Sequence, residues 1–176
     1  MRKLVLLLIT LVSFSSMAQD AEPLDLFKTI NERLSYMEDV GAYKTQHNIA
    51  IEDRARESVV IEKASESAQH SGLNKDSVKD FFAAQISAAK AIQYRYRADL
   101  LSQPLKHTPR DLKTEVRPAL LMLGNKINQE TAGYLQSGHK IDEQDWTQFE
   151  ETINVKYLKE SDKLALFNAL KNITLK

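Results

Sequence analysis

From Leu24 to the end of the chain, apolar residues return every three or four positions, and strand-like alternation is almost absent. That period restricts the fold to an all-α one, because a stripe recurring at about 3.6 residues comes to one face only in a helix. Five glycines and four prolines punctuate the pattern sparsely. The first helix is expected from about Leu24 to His47, with Phe27, Ile30, Leu34, Met37 and Val40 as its stripe. Gly41 inside it costs about 1 kcal/mol relative to alanine. A second helix is expected from Glu52 or Asp53 to the "HSG" that ends at Gly72, a natural C-terminal residue. A third runs from Lys75 to Leu101 on Val78, Phe81, Phe82, Ile86, Ile92 and Tyr96. The stretch "SQPLKHTPRD" reads as the main internal connection. A fourth helix is expected from about Pro109 to Gln136, with a kink at Pro118. Two shorter ones, about Asp142–Ile153 and Glu160–Ile173, carry Trp146, Phe149, Leu164, Phe167 and Leu170 as anchors. The expectation is a single helical-bundle domain of about six helices over residues 19–176, with no internal repeat.

The N-terminus "MRKLVLLLITLVSFSSMAQD" has a basic start, a short apolar run and a small-residue exit. It reads as a secretory signal peptide over residues 1–18, the run from Leu4 to Val12 being too short to span a bilayer. Losing Arg2 and Lys3 leaves 22 basic against 24 acidic residues in the mature chain. A balance so near neutrality points to neither nucleic acid nor an anionic membrane as partner, and no later segment is apolar enough to span a membrane. A periplasmic or secreted location follows.

The chain has no cysteine, which excludes thiol nucleophiles, covalently attached haem and thiolate metal sites. His47, His70, His107 and His139 lie far apart without metal-ligand spacing, so each is expected at the surface or in a turn, and neither a metal nor another cofactor is expected.

The charges on the apolar faces are more telling. Arg33 and Lys44 are three turns apart and bracket Met37 and Val40. In "IEDRARE", residues 51–57, Asp53, Arg56, Glu57 and the following Val60 share one face. Phe82, Ile86, Ala89, Gln93 and Tyr96 share another, so an amide lies in an apolar row. Arg117 stands one turn before Leu120 and Leu121. Groups buried this way need partners, since an unsatisfied buried charge costs several kcal/mol. Either they form a salt-bridge network within a bundle, or they line a pocket for a small anion with more than one carboxylate. "IEDRARE" is correspondingly either a solvated helix start or a pocket wall.

Three stretches, "LFKTINERLSYMEDVGAYK", "IEDRARE" and "FFAAQISAAKAIQYRYRADLL", resemble the secreted, gamma-type subclass of the all-helical chorismate mutases. The resemblance is strong from Leu26 to Leu101 and weaker from Pro109 onward. It implies a type II chorismate mutase fold and an isomerase that converts chorismate to prephenate by an intramolecular Claisen rearrangement. By resemblance, Arg33 and Arg117 hold carboxylates, with Arg110 the alternative to Arg117 across a segment of variable length. Lys44 donates to a carboxylate and to the ether oxygen, and Gln93 is the second donor to that oxygen. Asp53 and Glu57 face the ring hydroxyl, Arg56 is a further pocket arginine, and Arg54 is solvated. Ala89 departs from the family by replacing a hydroxyl side chain, and Val60 occupies a position that is polar in some members. The resemblance also implies a homodimer with one complete site per chain, residues 19–103 forming the main catalytic half and 104–176 completing it. The contrasting expectation is a non-catalytic periplasmic bundle that binds a dicarboxylate or a partner helix; its mark would be cations that face solvent or merely neutralise acids.

Overall fold

In the computed structural model, residues 23–105 and 108–176 are described; the leader expected at 1–18 lies outside them, as does His107. Among the described residues the chain forms α1 (Leu24–Ser35), α2 (Met37–Gln46), α3 (Arg54–His70), α4 (Lys75–Asp99), α5 (Arg117–Gln136), α6 (Trp146–Thr152) and α7 (Glu160–Lys171). The one β pairing among them is an isolated antiparallel bridge between Leu73 and Leu175.

Local chemistry sets several helix ends. Asp53 caps α3 by accepting the Arg56 amide at 3.0 Å, and Asn74 caps α4 by accepting from Asp76 and Ser77. The expected stop at Gly72 is a Schellman turn: Gly72 has φ +94°, its N–H reaches the Gln69 carbonyl, and the Leu73 N–H reaches that of Ala68. Leu73 is fully buried beneath this turn.

Three expectations are corrected. The first helix is two, broken at Tyr36, whose ψ of −11° flattens the last turn of α1 before Val40 N–H to Tyr36 carbonyl bonding resumes. No glycine or proline marks this break. The Arg110 guanidinium stacks 4.1 Å from the Tyr36 ring and its Nε donates to Asp39 at 2.5 Å. The fourth helix starts at a π turn, Leu112–Val116, capped by Asp111, rather than at Pro109. Pro118 has no N–H and its ring would press on the carbonyl four residues back, so the backbone widens ahead of it. The kink expected at Pro118 is thus taken up by the Val116 N–H to Asp111 carbonyl and Arg117 N–H to Leu112 carbonyl bonds. Leu164 is no anchor, being 46% exposed; the buried stripe of α7 is Leu166, Phe167 and Leu170, and Leu164 lies well round the helix from its centre.

In the packing, α4 rests on α2, α3 and α7, while α1 rests on α5 and α6. Phe27 meets Phe149 edge-on at 5.1 Å, and Phe149 meets Phe167 at 5.1 Å, tying α1, α6 and α7 together. On the other side of α1 the stripe contains a cation: Arg33 sits between Ile30 and Leu34 and is only 6% exposed. Gly41 lets α2 approach α4 closely, since a Cβ there would lie 3.4 Å from the Gln93 Cα and from the Tyr96 ring. The glycine that costs helix propensity thereby fixes the backbone under Gln93.

Candidate active site

Helices α1 to α5 enclose a cavity of about 460 Å³. All seven residues singled out in the sequence line it: Arg33, Lys44, Asp53, Arg56, Glu57, Gln93 and Arg117. Arg110, the alternative to Arg117, does not; its guanidinium is committed to Asp39 and Tyr36.

Arg33 and Gln93, on the α1 and α4 side of the cavity, are buried. Arg33 Nη1 donates to Gln85 Oε1 at 2.6 Å, while Nε is buried without a partner. The guanidinium also lies 5.9 Å from the Phe82 ring centroid. Burial lowers its pKa to about 10, which leaves it a cation at neutral pH. Gln93 is 4% exposed. Its Nε2 donates to the Ala89 carbonyl at 3.1 Å and approaches Met37 Sδ, a weak acceptor, at 3.7 Å; its Oε1 is buried without a partner. The Ala89 carbonyl is therefore engaged in holding Gln93, and the Ala89 methyl faces the cavity.

Lys44, in the last turn of α2, is half-buried and donates to the Ile51 carbonyl at 2.6 Å. That bond uses one of its three N–H donors. Burial lowers its pKa, Asp53 and Glu57 oppose that shift, and Arg117 and Arg97 add to it. On the α3 side, Glu57 Oε1 accepts the Asp53 N–H at 3.3 Å and Oε2 accepts Lys90 at 3.0 Å. "IEDRARE" is thus a capped, partly solvated helix start and a wall of the cavity at once. Arg54 is exposed and takes no part in the lining. Among the described residues, the guanidinium of neither Arg56 nor Arg117 has a hydrogen-bond or ion-pair partner; their backbone N–H groups are bonded.

Sequence reasoning passed over several contributors. Lys63, Lys90 and Lys113 also line the cavity, making seven cationic side chains against the carboxylates of Asp53 and Glu57. Gln85, which holds Arg33, shares the face of Ala89 and Gln93 at four-residue spacing, so its position was readable. The Ile51 carbonyl, a backbone group, left no residue-type signal.

The arrangement suits a small polyanion: cations on several sides, an amide donor, and apolar walls from Met37, Val40, Ile86 and Leu120. No serine, threonine, tyrosine or histidine lines it among the described residues. Such a site acts by positioning and by electrostatics. Among the described residues Arg33 and Lys44 pair with no acid, so the mark of a merely charge-neutralised bundle is missing from these two cations.

Comparison with known proteins agrees. The family model for chorismate mutase type II matches residues 24–94. The chain is 42% identical over 147 residues to the secreted chorismate mutase of Yersinia pestis, covering 84% of this chain and 79% of that protein. It is 38% identical over 149 residues to the monofunctional chorismate mutase of Enterobacter agglomerans, covering 84% and 81%. The crystal structure of the secreted chorismate mutase from Yersinia pestis superposes with a TM-score of 0.81 at 41% identity, covering 86% of this chain and 98% of that one.

Proposed function

Given that the chain belongs to the type II chorismate mutase family, we propose that the cavity between α1 and α5 is where it rearranges chorismate to prephenate. The protein is a chorismate mutase, an isomerase, and like its Yersinia relative it is secreted. In the reaction the ether C–O bond of the enolpyruvyl group breaks as a new C–C bond forms on the ring, within one molecule and without a covalent enzyme intermediate. Catalysis therefore consists of folding the dicarboxylate into the reactive shape and stabilising charge on the departing ether oxygen.

Arg33 and Arg117 take the two carboxylates, with Arg56 as a further cation near the mouth. Lys44 donates to a carboxylate and the ether oxygen, Gln93 donates its second N–H to that oxygen, and Asp53 and Glu57 receive the ring hydroxyl. The observation that carries this reading is the convergence of Arg33, Lys44, Gln93 and Arg117 from four helices on one cavity. Because the two halves of the chain contribute together, the reading extends to one domain with one complete site per chain. A homodimer is part of the same proposal. No helix among the described residues is long and apolar enough to cross a membrane.

The test is turnover: purified protein with chorismate in metal-free buffer, following the loss of chorismate ultraviolet absorbance and confirming prephenate by its acid conversion to phenylpyruvate. Saturable turnover is expected. A folded, helical protein with no turnover would contradict the proposal.

A further inference from the structure

Behind Arg33, outside the cavity lining, stands a fully buried amide. Gln85 Oε1 accepts Arg33 Nη1 at 2.6 Å, while Gln85 Nε2 finds no partner. A buried guanidinium ordinarily meets a carboxylate, and a glutamate would occupy the same space as this glutamine. Here no acid is among the causes of the Arg33 pKa shift; burial alone acts on it. The anchor also uses one end of the guanidinium fork. Nε is buried and has no partner, while Arg33 as a residue lines the cavity. Arg33 thus keeps N–H donors beyond the one given to Gln85, which suits a carboxylate as its second partner.

We propose that Gln85 is a positioning residue: it fixes the Arg33 guanidinium by a neutral hydrogen bond, so that orientation is set while the whole positive charge stays available to a substrate carboxylate. The inference rests on the reading that Arg33 binds such a carboxylate. A charged anchor would hold Arg33 as well or better and would spend its charge before substrate arrived. The lone Nε2 of Gln85 fits this role, because that unsatisfied donor is the cost of keeping a neutral group where a carboxylate would leave no N–H to satisfy.

The test compares steady-state kinetics on chorismate and thermal unfolding for the wild type, Arg33→Ala, Gln85→Glu and Gln85→Leu. Gln85→Glu keeps the shape and adds the counter-charge, so it should unfold at an equal or higher temperature while kcat/KM falls about 100-fold, most of the fall appearing in KM. Gln85→Leu removes the anchor without adding charge and should lose about 10-fold in kcat/KM. Stability and activity moving in opposite directions in Gln85→Glu is a result that a packing role does not produce. If Arg33→Ala loses activity while Gln85→Glu stays within about 3-fold of the wild type, the inference is overturned and the reading of Arg33 stands. If Arg33→Ala itself keeps full activity, both fall. Should Gln85→Glu not fold, wild-type kcat/KM in Gln85→Leu would overturn the inference on its own.

Discussion

The two walls of the cavity solve the same electrostatic problem differently. On the α1 and α4 side, Arg33 and Gln93 are 6% and 4% exposed, and each is tied to a group behind it: Arg33 to Gln85, Gln93 to the Ala89 carbonyl. On the α3 and α5 side, Arg56 is exposed, Arg117 is half-buried, and neither guanidinium is bonded. The inner wall bears the desolvation cost during folding, which leaves buried atoms without partners and fixes geometry before any ligand arrives. The outer wall keeps its charges solvated, and ordering each long side chain costs about 0.5–1.5 kcal/mol when a ligand binds. On the proposed mechanism, discrimination between ground and transition state falls to the inner wall and to Lys44 beside it, and capture of the anion to the outer wall.

A large effect is expected on the inner wall. An amide at Gln93 donates at every pH, whereas a carboxyl there donates only when protonated. Gln93→Glu should lose about 100-fold in kcat/KM at neutral pH and recover part of it on acidification. A mutant with the wild-type pH profile would remove Gln93 from the mechanism. A smaller effect separates two arginines of the second half of the chain. Arg117→Ala should lower kcat/KM by about 10-fold or more, chiefly through KM, while Arg110→Ala should leave kinetics near wild type and lower the unfolding temperature. The reverse order would move the carboxylate site to Arg110. The smallest is a shape in the wild-type pH profile. Burial lowers the pKa of both Lys44 and Arg33, and both act as cations, so activity must fall as pH rises through those lowered values. Bound substrate adds negative charge and raises them. The alkaline fall in kcat/KM, which reports the free enzyme, should come at lower pH than the fall in kcat, which reports the complex. Coincident limbs would mean that neither cation feels the substrate.

How much of this was legible in the sequence differs between the walls as well. All seven proposed site residues reach the cavity, because helical spacing fixes direction over a turn or two and the polar residues stood out on apolar faces. The "IEDRARE" packet was ambiguous for a good reason, since Asp53 both caps α3 and lines the cavity. Features that depend on contacts between helices were not legible. The break at Tyr36 has no proline or glycine, and Arg110 packs on that ring from about seventy residues away. The π turn could be anticipated only as a kink at Pro118, since the sequence marks the missing donor and not how the backbone absorbs it. Leu164 shows the limit of spacing arguments: three residues before Phe167 it reads as core, yet α7 buries Leu166 and turns Leu164 outward. Gln85 stood on the right face, but nothing in the sequence said that α1 would lay Arg33 against it.

The most direct test of the contrast uses one chemistry in two settings. Lys44 and Lys63 both line the cavity, but Lys44 is half-buried and pinned to the Ile51 carbonyl, whereas Lys63 is exposed. The measurement is kcat/KM on chorismate for Lys44→Ala and Lys63→Ala, with circular dichroism to confirm that both remain helical. Lys44→Ala should lose at least ~3 kcal/mol of transition-state stabilisation, roughly 100-fold or more, while Lys63→Ala stays within about 3-fold of wild type. Equal losses, or a Lys44→Ala variant that keeps its activity, would contradict the assignment of catalysis to the pre-organised groups.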